Sequence, residues 1–411
     1  MKKGILKTIF LGLSLGLLVA CSSQNVLVTE PAATLPVQPS VQPTPSITPL
    51  QPASVVVKLP KGVFISTNDG IGLTYVNLQG QSITELKTPG ISFPDPRYVH
   101  IAGSIPLGPF RVPLVYFAYQ PEAALMVNTN DQIELLMKSR YFDGLAGAEG
   151  LPVIAFTLLN PKENGLESKL FVSTLKNVSW AAAVFTQVDS QNSLSIVPIA
   201  VDAQGDTING VWFTRRPWGI GGDIVFDPFG GLFYYDHTNR EVREILDEKQ
   251  GFQGLALDRS LAAIVENVNP GHGVIKIIEL RTNNRTNIVL DSSSDRGGGY
   301  AEFSPDNRFI AWMEASGFQM SETPNFHCRI RVTHLGDTPG LVRDITDTAL
   351  ANAMGYPLVS QLKPVGWLDN QTLLIEVRHE SWEKASLVKL DVATGKLSEF
   401  SKGSFVDFGY E

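Results

Sequence analysis

Several short stretches carry residue types that could do chemistry, and most fail on spacing or place. Gly12-Leu13-Ser14-Leu15-Gly16 has the G-x-S-x-G pattern that lifts a nucleophilic serine onto a sharp turn. It lies inside an apolar leader whose removal takes the serine with it. His379-Glu380-Ser381-Trp382-Glu383 begins like the H-E-x-x-H zinc helix, but Glu383 stands where the second histidine must be, and the stretch falls between two strand-like runs. Asp291-Ser292-Ser293-Ser294-Asp295, with Glu302 beyond it, partly fits a Ca²⁺ loop; Arg296 replaces the turn glycine and adds repulsion, so a solvated turn is expected. Gly219, Gly221 and Gly222 do not follow a phosphate-loop pattern, and Gly297-Gly298-Gly299 precedes a strand. No metal and no cofactor are therefore expected. Asp202, Asp258 and Glu302 remain as carboxylates that an axial acid–base site could use, although their spacing does not single them out.

Cys21 is the residue with the most definite chemistry. Residues 1–20 read as a secretory signal: Lys2, Lys3 and Lys7 make the positive start, and Ile9 to Ala20 is an apolar run short for a membrane span. The run ends Leu18-Val19-Ala20-Cys21, then Ser22-Ser23. This resembles a bacterial lipobox. The resemblance implies diacylglyceryl transfer to the Cys21 thiol, cleavage before it, and acylation of the new amino terminus. Several acyl chains anchor stably where one does not. Ser22 is not Asp, so retention at an inner membrane is not indicated. Cys328 is the other cysteine; flanked by Ile330 and Val332 in strand-like alternation, it reads as a buried free thiol.

Residues 21–58 are rich in Pro, Ser, Thr, Gln and Val and nearly free of charge, with prolines at 31, 36, 39, 43, 45, 49 and 52. Such a composition cannot bury a core; it favours extended polyproline II, a spacer of up to roughly 100 Å at ~3.1 Å per residue. The formal net charge of -8 becomes more negative once the leader lysines are gone, and no Lys/Arg cluster is present to neutralise phosphates, so nucleic acid is not an expected partner.

The remaining residues, 59–411, must supply whatever positions a site. Strand-like runs recur there every 45–55 residues or so, the spacing of a β-propeller built from four-stranded blades. The clearest unit is Phe303-Ser304-Pro305-Asp306-Asn307 followed by Phe309-Ile310-Ala311-Trp312: strand, tight turn, buried strand. Further units span 97–138, 141–188, 195–246, 251–291, 299–346 and 362–400. Residues 62–86 supply three strands without an inner one, and Ser404-Phe405-Val406-Asp407-Phe408-Gly409 is a single orphan strand that would complete them. The expectation is an all-β, seven-bladed propeller closed by its carboxyl-terminal strand. The 303–312 unit resembles the repeat of TolB-like propellers, with Asn307 where that family often has Gly, and similar repeats occur in the propellers of the prolyl oligopeptidase family. Leu257-Asp258-Arg259 and Trp367-Leu368-Asp369-Asn370 depart from it by lacking the proline. The likeness implies the fold; with no room left for a hydrolase domain, it does not carry peptidase activity.

Propeller strand order puts second-to-third-strand and blade-to-blade connections on one face. The long insertions expected there are 161–167, 217–230, 317–326, 379–384 and the link 347–361. That face would present Arg216, Trp218, Phe318, Phe326, His327, Tyr356, His379 and Trp382, a set of aromatic, Arg and His side chains suited to recognition. The sequence thus points to a monomeric, membrane-anchored lipoprotein outside the cytoplasm, at the cell surface or in the periplasm, binding a protein or cell-envelope component through that face. The alternative is a hydrolase or lyase of carbohydrate or peptide with an axial site.

Overall fold

The structure is a computed structural model. It describes residues 55–66, 72–87, 99–102, 114–118, 124–129, 132–218, 226, 228–265, 274–281, 288–289, 297–316, 326–336, 340–380 and 384–411. They form an all-β propeller.

The first sheet has the order β27-β1-β2-β3, from β1 (Gly62–Ser66), β2 (Gly72–Asn77), β3 (Ser82–Lys87) and the last strand, β27 (Ser404–Gly409). β27 pairs antiparallel with β1, Gly62 opposite Gly409 and Ser66 opposite Ser404, so the carboxyl terminus completes the first sheet as its spacing requires. The second sheet runs β4 (Val99–Ile101), β5 (Leu114–Ala118), β6 (Ala124–Thr129), β7 (Gln132–Lys138). The third runs β8 (Tyr141–Gly147), β9 (Val153–Lys162), β10 (Gly165–Thr174), β11 (Phe185–Asp189). Two further four-stranded sheets follow later in the chain: β19 (Gly297–Phe303), β20 (Phe309–Ser316), β21 (His327–His334), β22 (Gly340–Thr346); and β23 (Val359–Trp367), β24 (Thr372–His379), β25 (Ala385–Asp391), β26 (Leu397–Lys402).

The expectation of seven separate four-stranded blades is corrected between residues 194 and 289. Five blades stand alone, and the remaining strands make one seven-stranded sheet: β12 (Leu194–Gln204), β13 (Thr207–Pro217), β14 (Gly230–Asp236), β15 (Glu241–Leu255), β16 (Leu261–Val265), β17 (Lys276–Glu279), β18 (Ile288–Val289). The cause is β15. Its first part pairs with β14 through Glu241 to Leu246, and its end pairs with β16 from Gly251 to Leu255. Asp247-Glu248-Lys249-Gln250 between them stay within the strand, with Asp247 Oδ1 accepting from Lys249 N at 2.7 Å.

The inner strands neighbour one another around an axis. Ile101 N donates to Asp407 Oδ2 at 2.8 Å (β4 to β27), Ser195 Oγ donates to Asp143 (β12 to β8), and Trp367 Nε1 donates to Glu302 O at 3.1 Å (β23 to β19). Between the sheets lie aliphatic and aromatic side chains, with Trp212 and Trp312 fully buried. Burying an indole requires a partner for its N–H; Trp212 Nε1 finds Asp202 Oδ2 at 2.7 Å and Trp312 Nε1 finds Glu314 Oε1 at 3.2 Å.

The 304–308 turn behaves as its residues dictate. Ser304 N donates to Phe309 O and Asn307 N to Ser304 O, both at 2.9 Å, while Asp306 Oδ1 accepts from Ser304 Oγ at 2.8 Å. Asn307 takes the left-handed conformation (φ 57°), which asparagine tolerates, and its amide reaches Asp258 Oδ1 in the neighbouring turn at 2.9 Å. The same bonds recur at 256–261, with Arg259 (φ 61°) in the place of Asn307, and at 148–153. On this turn face, third-to-fourth-strand connections are tied to first-to-second-strand ones: Leu175 N to Pro152 O, His237 N to Asn209 O, Leu280 N to Ser260 O, Leu335 N to Arg308 O, Val392 N to Gln371 O.

The opposite, loop face is less elaborate than expected. Pro161–Glu167 is a tight hairpin, because Gly165 (φ 122°) makes the turn and Pro161 is itself paired in β9. The link after Thr346 folds into helix α1 (Asp347–Met354): the Thr346 side chain caps Ala349 N, the helix is alanine-rich, and Gly355 ends it at φ 72°. His379 N donates to Lys384 O at 3.1 Å, so that connection is a short hairpin too. Most of 217–230 and 317–326, and all of Asp291–Asp295, lie outside the described residues.

Truncation after Gly403 would leave β1 with an unpaired edge. The expected outcome is a lower thermal midpoint and concentration-dependent self-association by size-exclusion chromatography; an unchanged, monomeric profile would show that β27 does not close the sheet.

Candidate functional site

Two clusters compete for the site, one at each end of the axis. On the loop face the structure places the expected residues but uses most of them internally. Arg216, at the end of β13, binds Asp143 through two guanidinium nitrogens, Nε at 3.2 Å from Oδ2, and Asp143 also accepts from Ser195. Asp143 is 1% exposed, so this is a buried ion pair. Trp218 leans edge-on against Tyr141, ring centroids 5.3 Å apart. Phe326 packs against the core beneath it. Tyr356 stacks on His379 at 4.1 Å with planes 2° apart. His379 Nε2 meets Ser386 Oγ at 2.9 Å, and burial holds the imidazole below its usual pKa against the opposing pull of Glu380. The pair resembles a nucleophile and its base, but Ser386 is 2% exposed and reaches no substrate. His327 differs: its side chain is 63% exposed, with Nδ1 3.2 Å from Asp347 Oδ2. With Cys328, Arg329, Thr346, Asp347 and Thr348 it lines a cleft of about 200 Å³. Cys328 is a buried free thiol, its pKa pushed up to about 12 by burial and by Asp347. Phe318 and Trp382 lie outside the described residues.

The turn face gathers more charge at its centre. Arg259 projects from the αL position of its turn and is 2% exposed. Its Nε donates to Asp202 Oδ1 at 3.1 Å, NH2 to Glu149 Oε1 at 3.4 Å, and NH1 to Leu257 O at 3.0 Å. Burial would weaken its proton, but Glu149 and Asp202 outweigh that and raise its pKa. Nearby, burial holds the Tyr410 hydroxyl well above its ordinary range, reinforced by Glu149, Asp407 and Glu302. Burial likewise raises Glu302 to about 7 against the pull of Lys363. Lys363 Nζ itself lies 4.5 Å from the Tyr300 ring centroid. Asp407 accepts from His100 Nδ1 at 2.8 Å. Asp258 is no axial acid: burial would raise it, but bonds from Ser260 and Asn307 hold it below the usual carboxylate range, in the turn.

A cavity of about 540 Å³ opens here, its walls including Val55, Val56, Lys58, Glu149, Asp202 and Asn209. Its charges are matched at home: Arg259 neutralises Asp202 and Glu149, and Lys58 Nζ donates to Glu149 O at 3.1 Å. Among the described residues, no three His, Cys, Asp or Glu side chains are placed to share a metal ion. Glu149, Arg259 and Tyr410 were not singled out from the sequence. The available signal was Arg259 itself, a long cation where the repeat calls for a small αL-tolerant residue.

No family model matches this chain, and no curated protein does. Solved structures do. TolB from Acinetobacter baumannii aligns at 12% identity over 66% of this chain and 60% of its own, with a TM-score of 0.37. A prolyl endopeptidase structure aligns at 14% over 87% of this chain and 50% of its own, TM-score 0.49. Oligogalacturonate lyase from Vibrio parahaemolyticus aligns at 8% over 85% and 87%, TM-score 0.45. The chain thus spans 60% and half of the first two proteins' lengths. At these identities the likeness goes no further than propeller architecture.

Arg259→Met leaves two carboxylates without their buried cation. The expected cost is about 3–5 kcal/mol in chemical denaturation, with part recovered in the Arg259→Met/Asp202→Asn double variant. A cost below about 1 kcal/mol would mean the triad is solvated rather than buried.

Proposed function

We propose that the chain is an extracytoplasmic binding or scaffold lipoprotein, anchored through acylated Cys21, that recognises a protein or cell-envelope component on its loop face. The supporting observation is the surface around α1. The helix exposes the small side chains Thr348, Ala349, Asn352 and Ala353, a flat surface that a partner can approach closely. His327 flanks it at one end, and Leu358, 60% exposed, follows it at the other. Phe326 and Tyr356 pack in the same core cluster as Leu350 of the helix, and Tyr356 stacks on His379, a rigid support for that surface. Recognition surfaces combine exposed apolar groups with side chains already fixed in place.

The test is recovery of partners from envelope extracts by the full-length lipidated chain. His327→Ala combined with Leu358→Asp should abolish recovery while leaving the thermal midpoint within a few degrees of wild type. Undiminished recovery would refute the choice of face.

A second reading, an axial hydrolase or lyase, is favoured by one observation: Glu302, pushed to about 7, holds a proton that a general acid could deliver near neutrality. Because that value lies above the ordinary 4.5, the native state binds the proton more tightly than the unfolded chain. The resulting stability is complete below a pH of about 4.5 and is lost as pH rises through about 7. Glu302→Gln should therefore flatten the fall of the thermal midpoint across that interval; an unaltered slope would remove the basis of the enzymatic reading.

A further inference from the structure

The turn face carries an apolar patch that neither reading uses. Trp180 ends a short 3-10 helix, Leu175–Trp180, and its side chain is 87% exposed. Val178 of the same helix is buried, so the helix is docked on the core and turns Trp180 outward. Ala182 and Ala183 follow, exposed, and Lys176 precedes them, also exposed. Two further apolar side chains stand out in the segment that leads into β1: Val56 is 78% exposed and Leu59 44%. A single turn brings the two segments together. Pro152 O accepts from Leu175 N at 2.9 Å, and Glu149 O, three residues earlier, accepts from Lys58 Nζ at 3.1 Å.

We propose that this patch lies in the interface of the lipid bilayer that carries the Cys21 acyl chains, with Trp180 inserted at headgroup depth. The inference rests on the lipid-anchored reading. Three features favour lipid over a protein as the occupant. In sequence, 33 residues join the acylated cysteine to Val55, at the start of the segment that carries Val56 and Leu59. Tryptophan is the side chain most at home at a membrane–water interface, where its apolar rings and N–H find both environments. Lys176, exposed four residues before Trp180, adds a cation that matches lipid phosphates, as on an interfacial surface. Acyl chains plus a protein-borne contact would make a two-point attachment that orients the propeller, turn face down and α1 outward.

The experiment uses the full-length lipidated chain in phosphatidylethanolamine/phosphatidylglycerol vesicles. A nitroxide is placed through Ala183→Cys in one sample and His327→Cys in another; acylation of Cys21 and burial of Cys328 leave the introduced thiol as the reactive one. Collisional relaxation by oxygen and by an aqueous nickel chelate should place position 183 in the interface and position 327 in water. Trp180→Ser in the Ala183→Cys background should return the label to water. Equal aqueous exposure at 183 and 327, or indifference to Trp180→Ser, overturns the proposal. If the lipidated chain does not float with the vesicles at all, the anchor itself fails and the inference with it; flotation with an aqueous 183 label overturns the proposal and leaves the anchor standing.

Discussion

The structure depends on one antiparallel pairing, β27 on β1. A sheet that ends in an open edge exposes backbone donors and acceptors that must find water or another chain. Here the first sheet is built from both ends of the propeller, so its closure rests on a backbone ladder. The pairing continues past the strands: Lys61 N donates to Gly409 O at 2.7 Å. Asp407 fixes the same strand to its other neighbour through Ile101 N and His100. β27 is thus bonded on one side by a ladder and on the other by a carboxylate.

That closure sets what the two faces can do. Turns that join adjacent strands near the axis are short, and their bonds to third-to-fourth-strand connections make the turn face a regular, crosslinked surface. Its buried charges, Arg259 with Asp202 and Glu149, hold three separate stretches of chain together at the axis. On the loop face Trp218 N donates to Ser193 O at 3.0 Å and Glu380 N to Leu358 O at 3.2 Å, and the longer link there accommodates α1.

Much of the architecture was legible from residue patterns. The 303–312 hairpin, the orphan strand at the carboxyl terminus and the buried Cys328 all follow from alternation and turn chemistry that act locally. What failed was also physical. The units 195–246 and 251–291 left a break at 247–250, yet β15 runs through it. Pro161 read as a loop, yet a proline can pair where its missing N–H is not needed, and Gly165 supplies the turn. The candidate site was harder still. An exposed-looking Arg216 pairs with Asp143, distant in sequence, and a degenerate turn residue, Arg259, proves to be a central cation. Such long-range pairings leave no periodic trace, so the side chains that looked free were those already engaged.

The continuity of β15 has a consequence for motion. Blades joined by separate connections can each open and reclose on their own, as independent units of hydrogen exchange. β15 serves as the last strand of one four-strand set and the first of the next, so those two sets share a backbone ladder and must open together. The strands from β12 to β18 are therefore expected to exchange as one unit, and each sheet that stands alone as its own.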